Sequence, residues 1–424
     1  MPTMLNNLGN SFASCFDHTD DLADIESAIS LQQRALELTP KGDTNMPSRL
    51  DNLGISFQSH FDHTSDLADL KSAISFHQRA VKLIPDGHVD MLSRLNNLGS
   101  LLQLQFGHTG DLADIESAIS CYQRAVKITP EGHKDMPSIL NNLGSSFQSC
   151  FDHTSDLADI KSAISSQQKA INLTAEGHAK MLSWLNKLGN SFNLCFDHTG
   201  ILADIKNAIS YHQRAVNLTP EGHADMPTRL SNLGTSFQSH FDHIGDLADI
   251  ESAISLQQRA VQLTPEGMPS MLNNLGISFE SHFDHTGDLA DIESAISFKQ
   301  RAIKLTPEGH ADMPSRLSNL GNSFNSYFDY TGDLAVIKSA ISYHQRAVKL
   351  TPEGHAEMPS RLSNLGNSFN SYFDCTGDLA DIESAISCHQ RAVKFTPVGH
   401  AEMPSTLGHP FTHCYNLLSY QEQV

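Results

Sequence analysis

Histidine, cysteine and carboxylate side chains are the groups in this chain that could hold a metal or attack a carbonyl, and all three recur at fixed intervals. Of the 23 histidines, fourteen fall into two columns. His18, His63, His108, His153, His198, His243 and His285 stand in an FDHTG-like turn, and His88, His133, His178, His223, His310, His355 and His400 each follow a glycine. Members of one column are a whole period apart, and metal ligands must converge on one ion at roughly 2 Å. Turn and capping roles are therefore expected. The seven cysteines, Cys15, Cys121, Cys150, Cys195, Cys375, Cys388 and Cys414, form no CxxC pair. Cys15, Cys150 and Cys195 share a position with His60, His240, His282, Tyr327 and Tyr372, which reads as interchangeable medium-sized filling in a reducing compartment. The turn DHTGDLADIE is rich in carboxylates but lacks the loop glycine and ligand alternation of a calcium-binding hand. Asp66 and Asp69 are expected at a helix N-terminus, where the helix dipole favours anions. No phosphate loop, GxSxG or HExxH occurs, and a dyad of Cys414 with His409 or His413 has no supporting element. No catalytic, cofactor or metal site is expected, and the chain is not read as an enzyme.

The elements that would carry these columns are set by a repeat. The second leucine of LxNLG falls at Leu8, Leu53, Leu98, Leu143, Leu188, Leu233, Leu275, Leu320 and Leu365, a spacing of 45 residues with one step of 42. The short step lies between Pro265 and Ser270 and removes three residues from a connector. Nine repeats follow, at 1–45, 46–90, 91–135, 136–180, 181–225, 226–267, 268–312, 313–357 and 358–402, with a degenerate tail at 405–424. Leu50, Leu53, Phe57 and Phe61 are offset by 3, 4 and 4 and make one helical stripe. Leu67, Leu70, Ala73, Ile74, Ala80, Val81 and Leu83 make a second, with Pro47 and Asp66 suited to the two helix starts. Each repeat is helix, polar turn, helix, connector, giving about 18 helices in an all-α stack. Gly54, Ala73 and Ala80 recur in every repeat, as small residues at a close helix crossing must.

The order Leu50, Leu53, Gly54, Phe57, Ala73, Ala80, Pro85 resembles the tetratricopeptide repeat, and it returns as Leu317, Leu320, Gly321, Phe324, Ala340, Ala347, Pro352. The longer period, with NNLG, TGDLADIESAI and RAVKLTPEGHAD, resembles expanded fungal arrays over residues 1–404. Leu102, Ala175 and Val336 depart from the pattern. The resemblance implies an α-α superhelix that binds other proteins, its first helices lining an inner groove. By matching positions, that groove is Asn6, Asn10, Asp51, Gln58, Asn96, Gln103, Asn141, Gln148, Asn186, Asn190, Asn193, Gln238, Asn273, Asn322, Asn325, Asn367 and Asn370. Such amides donate to and accept from an extended backbone. With Lys187 the one lysine beside this column, neutral or basic segments are expected rather than a clamped carboxylate. The alternative implied by the family is the regulatory region of a larger protein with a CHAT protease or nucleotide-binding switch domain. Because the terminal repeats lack distinct caps, the chain is expected to be a piece of such a longer protein.

The arginine column of the second helices, Arg34 through Arg391, reads as a solvated face. Acidic residues outnumber basic ones 48 to 28, a formal net charge of −20, so nucleic acid and anionic membranes are not expected partners. No apolar run reaches the roughly 18 residues of a membrane span, and a cytoplasmic location is expected.

Overall fold

The computed structural model describes residues 1–175, 177–264 and 268–396. The tail 405–424 with Cys414, His409 and His413, the histidine at 400, and Pro265 in the short connector lie outside the described residues. Eighteen helices occur among the described residues. They are α1 (Pro2–Thr19), α2 (Leu22–Glu37), α3 (Met46–Thr64), α4 (Leu67–Lys82), α5 (Met91–Thr109), α6 (Leu112–Ile128), α7 (Met136–Thr154), α8 (Leu157–Asn172) and α9 (Met181–Thr199). The series continues with α10 (Leu202–Leu218), α11 (Met226–Ile244), α12 (Leu247–Gln262), α13 (Pro269–Thr286), α14 (Leu289–Lys304), α15 (Met313–Thr331), α16 (Leu334–Leu350), α17 (Met358–Thr376) and α18 (Leu379–Phe395). None of these is long and apolar enough to cross a membrane.

Local chemistry explains each boundary. A proline occupies the first turn of α3, where its missing N–H leaves no intrahelical bond unmade. The helix stops when Ser65 takes a left-handed conformation at φ 59°, its N–H bonding Phe61 O at 2.7 Å; most repeats place glycine there, as Gly332 does at φ 66°. Thr64 Oγ1 donates to His60 O at 2.9 Å and accepts from Asp66 N at 3.3 Å, which folds the turn tightly. Asp66 then caps α4 by accepting from Ala68 N at 2.8 Å. The three-residue deletion falls in the connector: α12 keeps the 16 residues of α4, and α13, with 18, is one residue shorter than α3.

The helices fall into two compact units, Met1–Ala215 and Val216–Val424, with α10 crossing the boundary. In the first, α1 lies on α2, α3 on α4, α5 on α6 and α7 on α8, and each of these second helices also leans on the first helix that follows. First helices touch first helices, α1 with α3, α5 with α7 and α7 with α9. The second unit repeats the scheme from α11 to α18. Leu50, Leu53, Leu70, Ala73 and Ala80 have no exposed surface, as the helical stripes require. A fully buried leucine is worth about 1.5–3 kcal/mol, and because each second helix also packs on the first helix of the next repeat, part of that cover comes from the neighbouring repeat.

At the crossing, a second-helix side chain lies flat over the first-helix glycine. A Cβ at Gly144 would stand 2.6 Å from Gln167 Cγ and 3.0 Å from Ala163 O. Gly144→Ala should therefore destabilise by about 1–2 kcal/mol, although alanine is the better helix former by up to ~1 kcal/mol. Gly87→Ala, in a connector where an added Cβ meets nothing within 4 Å, should leave thermal unfolding unchanged. Equal melting temperatures for the two variants would refute this packing.

Candidate functional site

The first helices share a face whose rows stand at positions such as 51, 55, 58 and 62, four, three and four residues apart. The structure places the expected groove amides on it, but many are already bonded from repeat to repeat. Asn52 Nδ2 donates to Asn6 Oδ1 at 3.4 Å, Asn142 to Asn96 at 3.1 Å and Asn319 to Asn273 at 3.3 Å. Gln103 accepts from Ser146 at 3.1 Å, Gln148 from Ser191 at 3.0 Å and Asn325 from Ser368 at 3.0 Å. Gln238 donates to Ser281 at 2.8 Å and to Asp242 at 2.9 Å. Asn10 accepts from Gln32 at 3.0 Å, and Asn370 lies 3.5 Å from His389. Asn141 is buried; Gln58, Asn186, Asn190, Asn193 and Asn322 are half-buried, and Asn367 is exposed. Much of the column thus holds neighbouring repeats together.

The residue lying over each glycine varies, and its partner varies with it. His77 Nδ1 meets Asp51 Oδ1 at 2.8 Å, Tyr122 OH meets Ser100 Oγ at 2.9 Å, and Lys299 pairs with Glu280 while donating to Ser323 Oγ at 2.7 Å. Burial pulls the Lys299 ammonium below the usual lysine range, with Glu280 opposing the shift. A second buried set was not foreseen. Arg49, Arg94, Arg229, Arg316 and Arg361 are at most 7% exposed. Arg316 donates to Thr306 Oγ1 at 2.6 Å and to Asp312 at 2.9 Å; Arg361 adds a bond across the repeat boundary to Ser315 at 2.8 Å. The signal was the recurrent Arg of MPSRL paired with the Thr ten residues earlier.

The supposed fillers also have a job. His60, His240 and His282 each bond, through Nδ1, the aspartate in the first turn of the next helix at 2.6 Å, and Gln105 bonds both oxygens of Asp114. Burial pushes the Cys150 thiol up to about 12, with Asp159 beside it adding to the shift, so this thiol stays protonated and poorly nucleophilic. The connector histidines accept: His88 Nδ1 takes the Asp90 N–H at 3.2 Å, and His133, His178, His223, His310 and His355 do likewise two residues on. Among the described residues no three His, Cys, Asp or Glu side chains converge on a metal position.

A row one turn beyond Gln58 was missed as well. Asp62, Asp152, Asp197, Asp242, Asp284 and Asp329 are open to solvent, yet surrounding protein raises each above the usual carboxylate range. In repeat three this aspartate is Gly107. There a hollow of about 490 Å³ opens over α5, lined by Ser100, Gln103, Leu104, Gly107 and His108. A second hollow, of about 390 Å³, lies at the start of the same helix and reaches Asn96, His133, Lys134, Asp135, Ile139 and Lys180. Two of the expected groove residues, Asn96 and Gln103, therefore line real concavities.

Residues 91–133, which span α5 and α6, match the family model of the tetratricopeptide repeat, and the other eight repeats carry the same pattern. Repeat three is, by that match, a tetratricopeptide repeat. Among the described residues the fold is all-α, built of helix-turn-helix repeats. No curated protein matches the array. Among solved structures it is similar to the C-terminal part of a tetratricopeptide-repeat protein from Cytophaga hutchinsonii, at 12% identity over 73% of this chain and 99% of that one, TM-score 0.45. Yeast Tom70 matches at 14% identity over 98% and 96%, TM-score 0.41. YrrB, described as a tetratricopeptide protein with an unusual peptide-binding site, matches at 15% over 54% and 96%, TM-score 0.36.

The overhanging residues give the array a pH dependence. Burial pushes His344 down to about 4 from an ordinary 6.5, because its ring has only Asn325 at 3.4 Å for a partner. The fold tolerates the neutral ring, so the stability it supports is present above 6.5 and is lost as the pH falls toward 4. At ~1.4 kcal/mol per unit the loss is at most about 3 kcal/mol. His344→Gln, the residue other repeats place there, should flatten this acid-side loss relative to the parent. Parallel denaturation curves for the two proteins between pH 7 and pH 4 would count against it.

Proposed function

We propose that the array is a protein-interaction scaffold whose first-helix face receives an extended peptide segment of a partner. The observation that carries this reading is the pair of hollows along α5, on a face whose amides are secured by neighbouring repeats and therefore held in fixed positions. A rigid, pre-ordered face binds a flexible segment without paying its own ordering entropy, leaving only the segment's. Around the hollows stand a solvent-exposed leucine, Leu104, hydroxyls and amides, and this mixture fits an extended backbone with alternating side chains. The buried Cys150 and Cys195 thiols are kept protonated by burial and a neighbouring aspartate.

Leu104→Arg fills the end hollow with a charged chain and should remove partner proteins captured from a native extract, about tenfold or more in recovered amount. Lys71→Glu, exposed on a second helix, should capture the same set as the parent. Retention of every partner by the Leu104→Arg protein would place binding elsewhere.

A further inference from the structure

One substitution changes the wall of the start hollow. At three repeat boundaries a buried arginine spans from its own helix to a hydroxyl of the preceding repeat: Arg49 to Thr3 at 3.1 Å, Arg94 to Ser48 at 3.2 Å and Arg361 to Ser315 at 2.8 Å. In α7 the residue is Ile139, which is too short to cross toward the corresponding Ser93, and both side chains line the hollow instead. Its rim is cationic. Lys134 stands where other repeats carry Thr44, Val89, Ala179, Ala224, Ala311 or Ala356. Lys180 stands where they carry Asn45, Asp90, Asp135, Asp225, Asp312 or Glu357. Both lysines are exposed, and among the described residues neither is in an ion pair. Asp135 and His133 also face the hollow; Asp135 contributes one negative charge against the two lysines, so the fixed charge there is positive in a chain of net −20. The other hollow on α5 has the opposite character. Leu104 is exposed at its centre, and Gly107 replaces the aspartate found in all eight sister repeats.

We propose that the segment received by α5 carries an acidic side chain, held between Lys134 and Lys180, and an apolar side chain seated over Leu104 and Gly107. This names the occupant of the face described above and rests on that reading. The two hollows are separated by about ten residues of helix, roughly 15 Å. An extended segment covers that distance in four or five residues, so the acidic and apolar anchors are spaced accordingly. Asp152 and Asp197, which continue the row on α7 and α9, repel a second acidic residue at the far end and fix the order along the helix.

Fluorescein-labelled decapeptides of glycine and serine test this, with C-terminal amides so that no terminal carboxylate competes. One carries Glu and Leu four residues apart, one has Lys in place of Glu, and one has Glu and Leu adjacent. By fluorescence anisotropy at low salt, the spaced Glu–Leu peptide should bind at least tenfold tighter than the other two. The Lys134→Ala/Lys180→Ala protein should bring the Glu and Lys peptides level, and Gly107→Asp should weaken the spaced peptide at least tenfold. Circular dichroism confirms that both variants are folded. Equal or tighter binding of the Lys peptide, an unaltered preference in the double lysine variant, or no binding by any peptide overturns the assignment. The broader reading is judged separately, since loss of captured partners on Leu104→Arg would sustain a peptide face of different specificity.

Discussion

The close crossing of two helices at a glycine governs this fold. A first-helix glycine and two second-helix alanines with no exposed surface let the backbones approach, and the room so made is filled by one large second-helix residue lying across the glycine. That residue is polar in all nine repeats: glutamine, histidine, tyrosine or lysine. A buried polar group costs free energy unless it is hydrogen-bonded. The crossing therefore dictates which residues the first helix can carry opposite it.

This dictation is visible as compensation within the chain. Lys299 is the one lysine in its column, and Glu280 the one glutamate in the column it faces. Asp51 is the one aspartate among the asparagines and serines of its row, and it serves two partners: His77 at 2.8 Å and Arg94 at 3.8 Å. Arg94 needs it because Ile84 replaces the threonine that accepts from arginine elsewhere. Val336 replaces an otherwise invariant first-turn aspartate where Tyr327 replaces the histidine or cysteine that would bond it, and the tyrosine turns to Glu293 at 3.4 Å. An unpartnered buried charge costs several kcal/mol, which accounts for the pairing of Lys299 with Glu280.

The helices, their order, the capping aspartates and the small crossing residues were all legible in the sequence, because each depends on contacts within one period that repeats nine times. The uses of the polar residues were not. Asn96 reads from its position as a groove residue, yet it also accepts a bond from Asn142 in the next repeat, a contact 46 residues away that helical periodicity does not encode. The buried arginines were missed because a charged residue one position from a hydrophobic stripe looks exposed until the next repeat covers it. The row of Asp62 was missed for the converse reason: it follows a buried phenylalanine and belongs to a turn motif, and only the helix running on through Thr64 shows that it continues the face begun at Asp51.

Near-identity among repeats turns this into a rule for finding a site. Residues common to all nine repeats report the packing, and paired departures report its local repair. What remains are departures with no structural partner. Lys134 bonds nothing that alanine in sister repeats fails to bond, and a Cβ at Gly107 would meet open space, so no packing demand excludes the aspartate found elsewhere. Lys180 is released from the acidic role because Trp184 replaces the arginine it would pair with, but release permits any residue and does not by itself select a cation. Lys134, Lys180 and Gly107 stand around α5 and the start of the helices beside it. In a repeat chain, sequence freedom that the fold does not use is the freedom left for recognition, and on the proposed reading Lys134, Lys180 and Gly107 use it at the two hollows.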